Sequence, residues 1–292
     1  MMQVRRYSDP VEFYERVESF LLAREAEHCL LLGLSKRAAA GEYDDPPPYL
    51  AAAEADGKVA AVCMRTPPLN VILSEMDDPA CAMLFAQDLN EIWTTLPGLF
   101  SPPAVAKAFY ERWFALTGET AELAYREMIY RLDKVIYRPA VDGEMVRATE
   151  SDFDLLVNWY DAFHAESLGN MTASLDARKM VKRQLSHEQG KGGLYFWKVE
   201  GKPVAMAGYG NPTPNGIRIG PVYTPPEYRG FGYGTAISAA ISQHLLDSGR
   251  QFVFLFADSD YAPSNHVYRK IGYQPVSDAY QYNFRAGGQW SE

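Results

Sequence analysis

A chain of 292 residues is long enough for two domains of ordinary size, and 47% hydrophobic residues give each a core. A net charge of −9 argues against a nucleic-acid surface, and without a long apolar run or a leader-like start the expectation is a cytoplasmic protein with no membrane span. Cys29, Cys63 and Cys81 are odd in number and widely spaced, which fits neither a zinc set nor a disulfide framework and predicts buried free thiols.

In chain order, Asp9 to about Ala26 reads as a helix, with Asp9 as cap, Pro10 in the first turn and Phe13, Val17, Phe20 and Leu21 on one face. Cys29 to about Ala40 reads as a second helix, with a strand as the alternative, and Glu42 to Tyr49 as a loop. Asp56-Gly57 joins two strand patterns, Leu50–Glu54 and Lys58–Met64, into a hairpin. Asn70–Ser74 is the next strand, and Pro79 to about Thr95 the next helix. Leu96–Pro103 reads as a loop leading to a helix over Ala104–Leu116. Glu127–Tyr137 alternates as a strand does. Asp142-Gly143 marks the boundary, which predicts domains over 1–141 and 142–292.

The second half opens with a strand, Glu144–Thr149, then a helix capped at Ser151-Asp152. Leu175 to about Glu188 is a further helix. Leu194–Val199 and Pro203–Tyr209 form a second hairpin around Glu200-Gly201. Ile217–Tyr223 is a strand, Phe252–Ala257 a strand apolar throughout, and a short helix around Val267 precedes the alternating strand Tyr280, Tyr282, Phe284.

The most informative stretch runs from Arg218 to Ile241. A strand ends at Pro225-Pro226, because neither proline can donate to a sheet ladder. Arg229, Gly230, Gly232 and Gly234 follow, and then Ile237, Ile241 and Leu245 mark one face of a helix. A glycine loop feeding a helix points main-chain N–H groups and the positive end of the helix dipole into one concavity, which suits phosphate oxygens. The loop lacks the Gly-Lys-Ser/Thr of a P-loop and the spacing of a dinucleotide fingerprint.

Arg229, Gly232 and Gly234 resemble the Arg/Gln-x-x-Gly-x-Gly/Ala acyl-CoA signature of the GCN5-related N-acetyltransferases. Ser264 to Tyr273, a helix carrying Tyr268 and ending in Gly-Tyr, resembles the family's second signature. The resemblance implies an α/β fold of two mixed-sheet domains in tandem, the C-terminal one active. It implies transfer of acetyl from acetyl-CoA to a small-molecule or peptide amine. It places Arg229, Gly230, Phe231, Gly232, Tyr233, Gly234 and Thr235 around the pyrophosphate. Val222, Tyr223 and Thr224 fall along the pantetheine arm, with the Val222 N–H as a candidate oxyanion donor. Gly220-Pro221 is where that strand is expected to splay from its neighbour and open a slot.

Tyr268 is the expected general acid, since a phenol is protonated at neutral pH. Ser264 and Asn265 are candidate polar contacts to the cofactor, although the family often has its asparagine seven residues before the tyrosine, where this chain has Tyr261. Asp258 and Asp260 are open candidates for the base. His164 and His266 read as packing or solvent residues. No metal cluster is visible, and the pattern is silent on oligomeric state. A sensor that binds acyl-CoA without turnover, or an enzyme with another donor, remains the alternative.

The two halves run in similar order, and Asp56-Gly57-Lys58 mirrors Glu200-Gly201-Lys202. A duplication is therefore expected. In it, Pro97–Pro103 takes the place of the glycine loop in a first copy that has lost its cofactor site.

Overall fold

The computed structural model describes residues 2–43, 45–167, 176–186 and 192–287. The chain forms two compact α/β units, Met1–Ile129 with Val276–Glu292, and Tyr130–Pro275.

The first unit contains β1 (Gln3–Arg6), α1 (Pro10–Leu22), α2 (Cys29–Ala39), β2 (Tyr49–Ala55), β3 (Lys58–Arg65), β4 (Val71–Leu73), α3 (Ala80–Asn90), β5 (Gly98–Ser101), α4 (Pro103–Thr117) and most of β6 (Glu119–Leu132). Pairing is antiparallel from β1 to β4, parallel between β4 and β5, and antiparallel between β5 and the last strand, β12 (Gln274–Ala286). Period-two alternation divides the core between the two faces. Val62 and Met64 of β3 join Phe13, Val17 and Leu21 of α1 and Leu31 of α2. Cys63, between them, joins Phe85 and Leu89 of α3 and Phe109 and Trp113 of α4. The α1 start follows its sequence: Asp9 accepts the Val11 N–H at 2.8 Å, and Pro10 opens the helix.

The second unit contains β7 (Glu144–Arg147), α5 (Phe153–Ser167), α6 (Ala177–Ser186), β8 (Gly193–Val199), β9 (Lys202–Gly210), β10 (Gly216–Tyr223), α7 (Tyr233–Asp247), β11 (Phe252–Asp258) and α8 (Ala262–Ile271). β7 through β10 pair antiparallel, and β10 pairs parallel with β11. Leu156, Val157 and Tyr160 of α5 and Val181 of α6 pack with Phe196, Met206 and Tyr223.

Along the sequence, β1 to β6 and β7 to β12 repeat one element order: strand, two helices, three strands, helix, strand, helix, strand. Their hairpins also share a turn. Asp56 and Gly57 have φ of 51° and 76°, and Glu200 and Gly201 have 49° and 78°. Positive φ at both central residues is the type I′ geometry that matches strand twist.

The main differences from the sequence reading are short elements. β1 and the first half of β6 were not expected, and β5 lies inside the stretch read as a loop. Gly98 is needed there because a Cβ would strike the Tyr282 carbonyl oxygen on the paired strand. That overturns Pro97–Pro103 as the counterpart of the glycine loop. By element order the counterpart is Ser74–Pro79, between β4 and α3. Asp44, Leu175, His187 and Glu188 of the expected elements lie outside the described residues. The three cysteines are free and buried.

Candidate active site

The site is built where β10 leaves its neighbour. The parallel ladder to β11 runs only over Gly216–Arg218, while pairing with β9 continues to Tyr223, through an irregularity between Ile219 and Val222 that contains Gly220-Pro221. Beyond Arg218 the two parallel strands are therefore not zipped, while Ile219–Tyr223 stays paired with β9. This is the splay expected at Gly220-Pro221. Val222 is half-buried and sits opposite Ala207, while Tyr223 is buried in the core under α5.

The glycine loop follows that strand and leads into α7. Gly230 and Gly232 both have φ of +85°, a region that penalises any side chain. A Cβ at Gly234 would lie 3.0 Å from the Thr224 hydroxyl oxygen, so glycine lets the helix start approach the strand end. No side chain caps α7 at Gly232, and the first bond of the helix joins the Ala236 N–H to the Gly232 carbonyl at 2.9 Å. The N–H groups of Tyr233, Gly234 and Thr235 therefore have no intrahelical acceptor. Phe231 is 61% exposed and stacks on Tyr233 with ring centroids 5.8 Å apart. These features fit a phosphate group: a concave turn, unused donors and the positive end of a 15-residue helix.

Arg229 is placed differently from the other loop residues. Its guanidinium contacts the Glu166 carboxylate at 2.6 Å and the Thr224 carbonyl at 2.9 Å. Its own N–H donates to the Pro226 carbonyl at 3.2 Å. Glu166, at the end of α5, escaped the sequence reading, because nothing in its spacing links it to a loop 63 residues away.

Tyr268 lies on α8 between two other tyrosines. Its ring centroid is 6.1 Å from that of Tyr130 and 5.7 Å from that of Tyr273. Tyr273 is held by a 2.8 Å hydrogen bond with Ser242 of α7. Burial pushes the Tyr268 phenol up to about 12, with the nearby Tyr130 hydroxyl adding to the rise. The phenol therefore carries its proton throughout the neutral range. Tyr130 comes from the end of β6, ahead of the domain boundary expected from the sequence.

Ser264 and Asn265 form the start of α8. The Ser264 hydroxyl donates to the Tyr261 carbonyl at 3.1 Å. The Asn265 amide donates to the carbonyls of Asp258, Ser259 and Tyr261 at 2.9, 3.2 and 3.1 Å, which fixes the turn after β11. Its carbonyl oxygen is buried and has no partner among the described residues. Asp258 accepts the Asp260 N–H at 2.8 Å. His164 is buried against Tyr160, with centroids 5.0 Å apart, and burial lowers its basicity. Both facts agree with a packing role. No group of three or more histidine, cysteine or acidic side chains suited to a metal occurs among the described residues. No helix of the described residues is long and apolar enough to cross a membrane.

Residues 154–273 match the acetyltransferase (GNAT) family model. A mycothiol acetyltransferase of Saccharomonospora viridis is 38% identical over 76 residues, which is 25% of each chain. The chain spans about a quarter of the length of the curated relatives it matches. Among solved structures, a Drosophila protein superposes with a TM-score of 0.64 at 12% identity, covering 96% of this chain and 98% of that one. A tandem GNAT protein from the clavulanic acid biosynthesis pathway gives 0.54 at 14% identity, covering 99% and 100%. At such identities the likeness is one of fold. The matched residues 154–273 are those that hold the unpaired end of β10, the glycine loop and Tyr268, and over them the chain is similar to the acetyltransferase (GNAT) family.

Proposed function

We propose that the protein is an N-acetyltransferase that moves an acetyl group from acetyl-CoA directly to the amine of a small molecule. The observation that carries this reading is the unzipped stretch of β10, which ends on a glycine loop and an uncapped helix start. An unzipped stretch of that kind suits an extended pantetheine arm, with its pyrophosphate on the N–H groups of Tyr233, Gly234 and Thr235. Val222, Tyr223 and Thr224 line the arm, and the Val222 N–H supplies the oxyanion donor. The unpartnered carbonyl oxygen of Asn265, with Ser264 beside it, offers the arm an acceptor.

In the reaction, the amine nitrogen bonds to the acetyl carbon and the carbon–sulfur bond breaks with its electron pair on sulfur. Tyr268 gives that sulfur a proton. The proton lost by the amine returns to Tyr268 through solvent. Holding the two substrates side by side supplies much of the rate. The small size of the acceptor is supported by the relatives named mycothiol acetyltransferase.

We place the two domains at 1–141 and 142–292, with the first a copy that has no donor site. The test is thiol release from acetyl-CoA with a panel of small amines. Release with one or more amines supports the reading. Tight CoA binding with no release from any of them would favour a sensor without turnover.

A further inference from the structure

We propose that Glu166 is a positioning residue for the donor site, tying Arg229 and Tyr223 to the end of α5 and so holding the glycine loop ready for phosphate. This inference rests on the acetyl-CoA reading above. The signature points to Arg229 as a phosphate ligand, but its guanidinium is engaged elsewhere. It donates to Oε2 of Glu166 at 2.6 Å and to the Thr224 carbonyl at 2.9 Å. The other oxygen of the same carboxylate accepts the Tyr223 hydroxyl at 3.1 Å. The Tyr223 ring lies beneath the guanidinium, 5.8 Å from its carbon to the ring centroid. One carboxylate thus joins the last residue of β10 to the loop that follows it.

Two consequences follow from the charges and from the glycines. The Arg229 cation is neutralised by Glu166, so anion binding at the loop falls to main-chain N–H groups. A loop with positive-φ glycines at 230 and 232 is also easily deformed when unrestrained. Fixing it before the ligand arrives reduces the ordering cost of binding. The Arg229–Glu166 pair is about half exposed, and such a pair alone contributes little. Its effect comes from anchoring both Arg229 and Tyr223 through one side chain.

The two roles open to Arg229 give opposite signs in one experiment. Calorimetry with CoA on Glu166→Gln is expected to show binding weakened about fivefold. The KM for acetyl-CoA rises by the same factor, and the effect falls on KM rather than kcat while the melting temperature holds. If Arg229 instead reaches the phosphates, Glu166→Gln frees a cation and CoA binds more tightly, which overturns the proposal. Unchanged affinity overturns it too. The reciprocal exchange, Glu166→Arg with Arg229→Glu, is expected to regain affinity lost by either single change, and failure to regain any contradicts the strap. A wild type that binds no CoA removes the acetyl-CoA reading itself, and this is seen before any variant is compared.

Discussion

The loop before α3 and the loop before α7 occupy the same place in the element order of their units, and they treat a helix start in opposite ways. Before α3, the carboxylate of Asp78 accepts the Ala80 N–H at 2.9 Å, and the main-chain carbonyls of Asp78 and Pro79 accept those of Cys81 and Ala82 at 3.1 and 3.0 Å, so the chain uses these donors itself and sets a carboxylate at the helix start. Glu75 and Asp77 stand in the same short loop. Before α7 the loop brings glycines instead, and the first turn has no side-chain cap. A helix N-terminus attracts negative charge in either case. In one unit that charge is built in, and in the other the position is left for a ligand.

The strands feeding these loops differ in the same direction. Counted from the matching hairpin turns, Leu73 opposite Cys63 corresponds to Val222 opposite Ala207. Val71 opposite Arg65 corresponds likewise to Ile219 opposite Tyr209. In the first unit Val71 and Ile72 pair with Leu99 and Phe100 of β5. In the second unit the corresponding residues lie past the last pair with β11. The first pair of strands is joined by a main-chain ladder at this point, and the second is not. A later helix differs as well. The N–H of Gly272 bonds to the Tyr268 carbonyl, and that of Gly118 to the Phe114 carbonyl, so the position of the phenol in one copy holds a phenyl ring in the other. A phenyl has no proton to give.

Tyr268→Phe makes the second copy like the first at that point, and it carries the largest expected effect. We expect kcat to fall about a hundredfold with CoA affinity unchanged, checked by thiol release and calorimetry. An unchanged kcat would mean that the Tyr268/Phe114 difference has no part in the chemistry.

The next effect concerns the stability of the first unit. Burial lowers His28 of the first unit to about 4, from an ordinary value near 6.5. Its folded value is depressed, so protons favour the unfolded chain. Stability from this source is complete above about pH 6.5 and is lost as pH falls toward 4. At pH 5 the loss is about 2 kcal/mol, measurable as a change in denaturant midpoint between pH 7 and pH 5. His28→Gln should flatten that dependence.

The smallest effect tests the loop before α3 directly. Asp78→Ala removes a helix-start contact and should cost about 1 kcal/mol of stability. Acetyl-CoA binding should not change. A new or altered binding event in that variant would show that the first unit also takes the donor.

The strand, glycine loop and helix of the candidate site were legible in the sequence, because glycines at 230, 232 and 234 before an apolar helical stripe signal a special backbone. The two hairpins were legible for the same reason, through Asp56-Gly57 and Glu200-Gly201. The failures arise where tertiary pairing overrides local signal. Gly98 among prolines reads as a loop, yet its lack of a side chain serves the close approach of β12. β1 and β5 are too short for periodicity to register. Glu166 and Tyr130 reach the site only through the fold, from an α5 terminus and a β6 terminus that no motif marks.

The central claim is that the α7 start binds the donor phosphates while the α3 start cannot. Calorimetry of acetyl-CoA with the wild type and with Gly232→Glu tests it most directly, with Gly232→Ala as the control for backbone strain at φ +85°. The account predicts one binding event in the wild type and at least a hundredfold loss when a carboxylate stands beside the phosphates in a folded variant. A wild type that binds neither acetyl-CoA nor CoA, or a Gly232→Glu variant that binds as the wild type does, would contradict it.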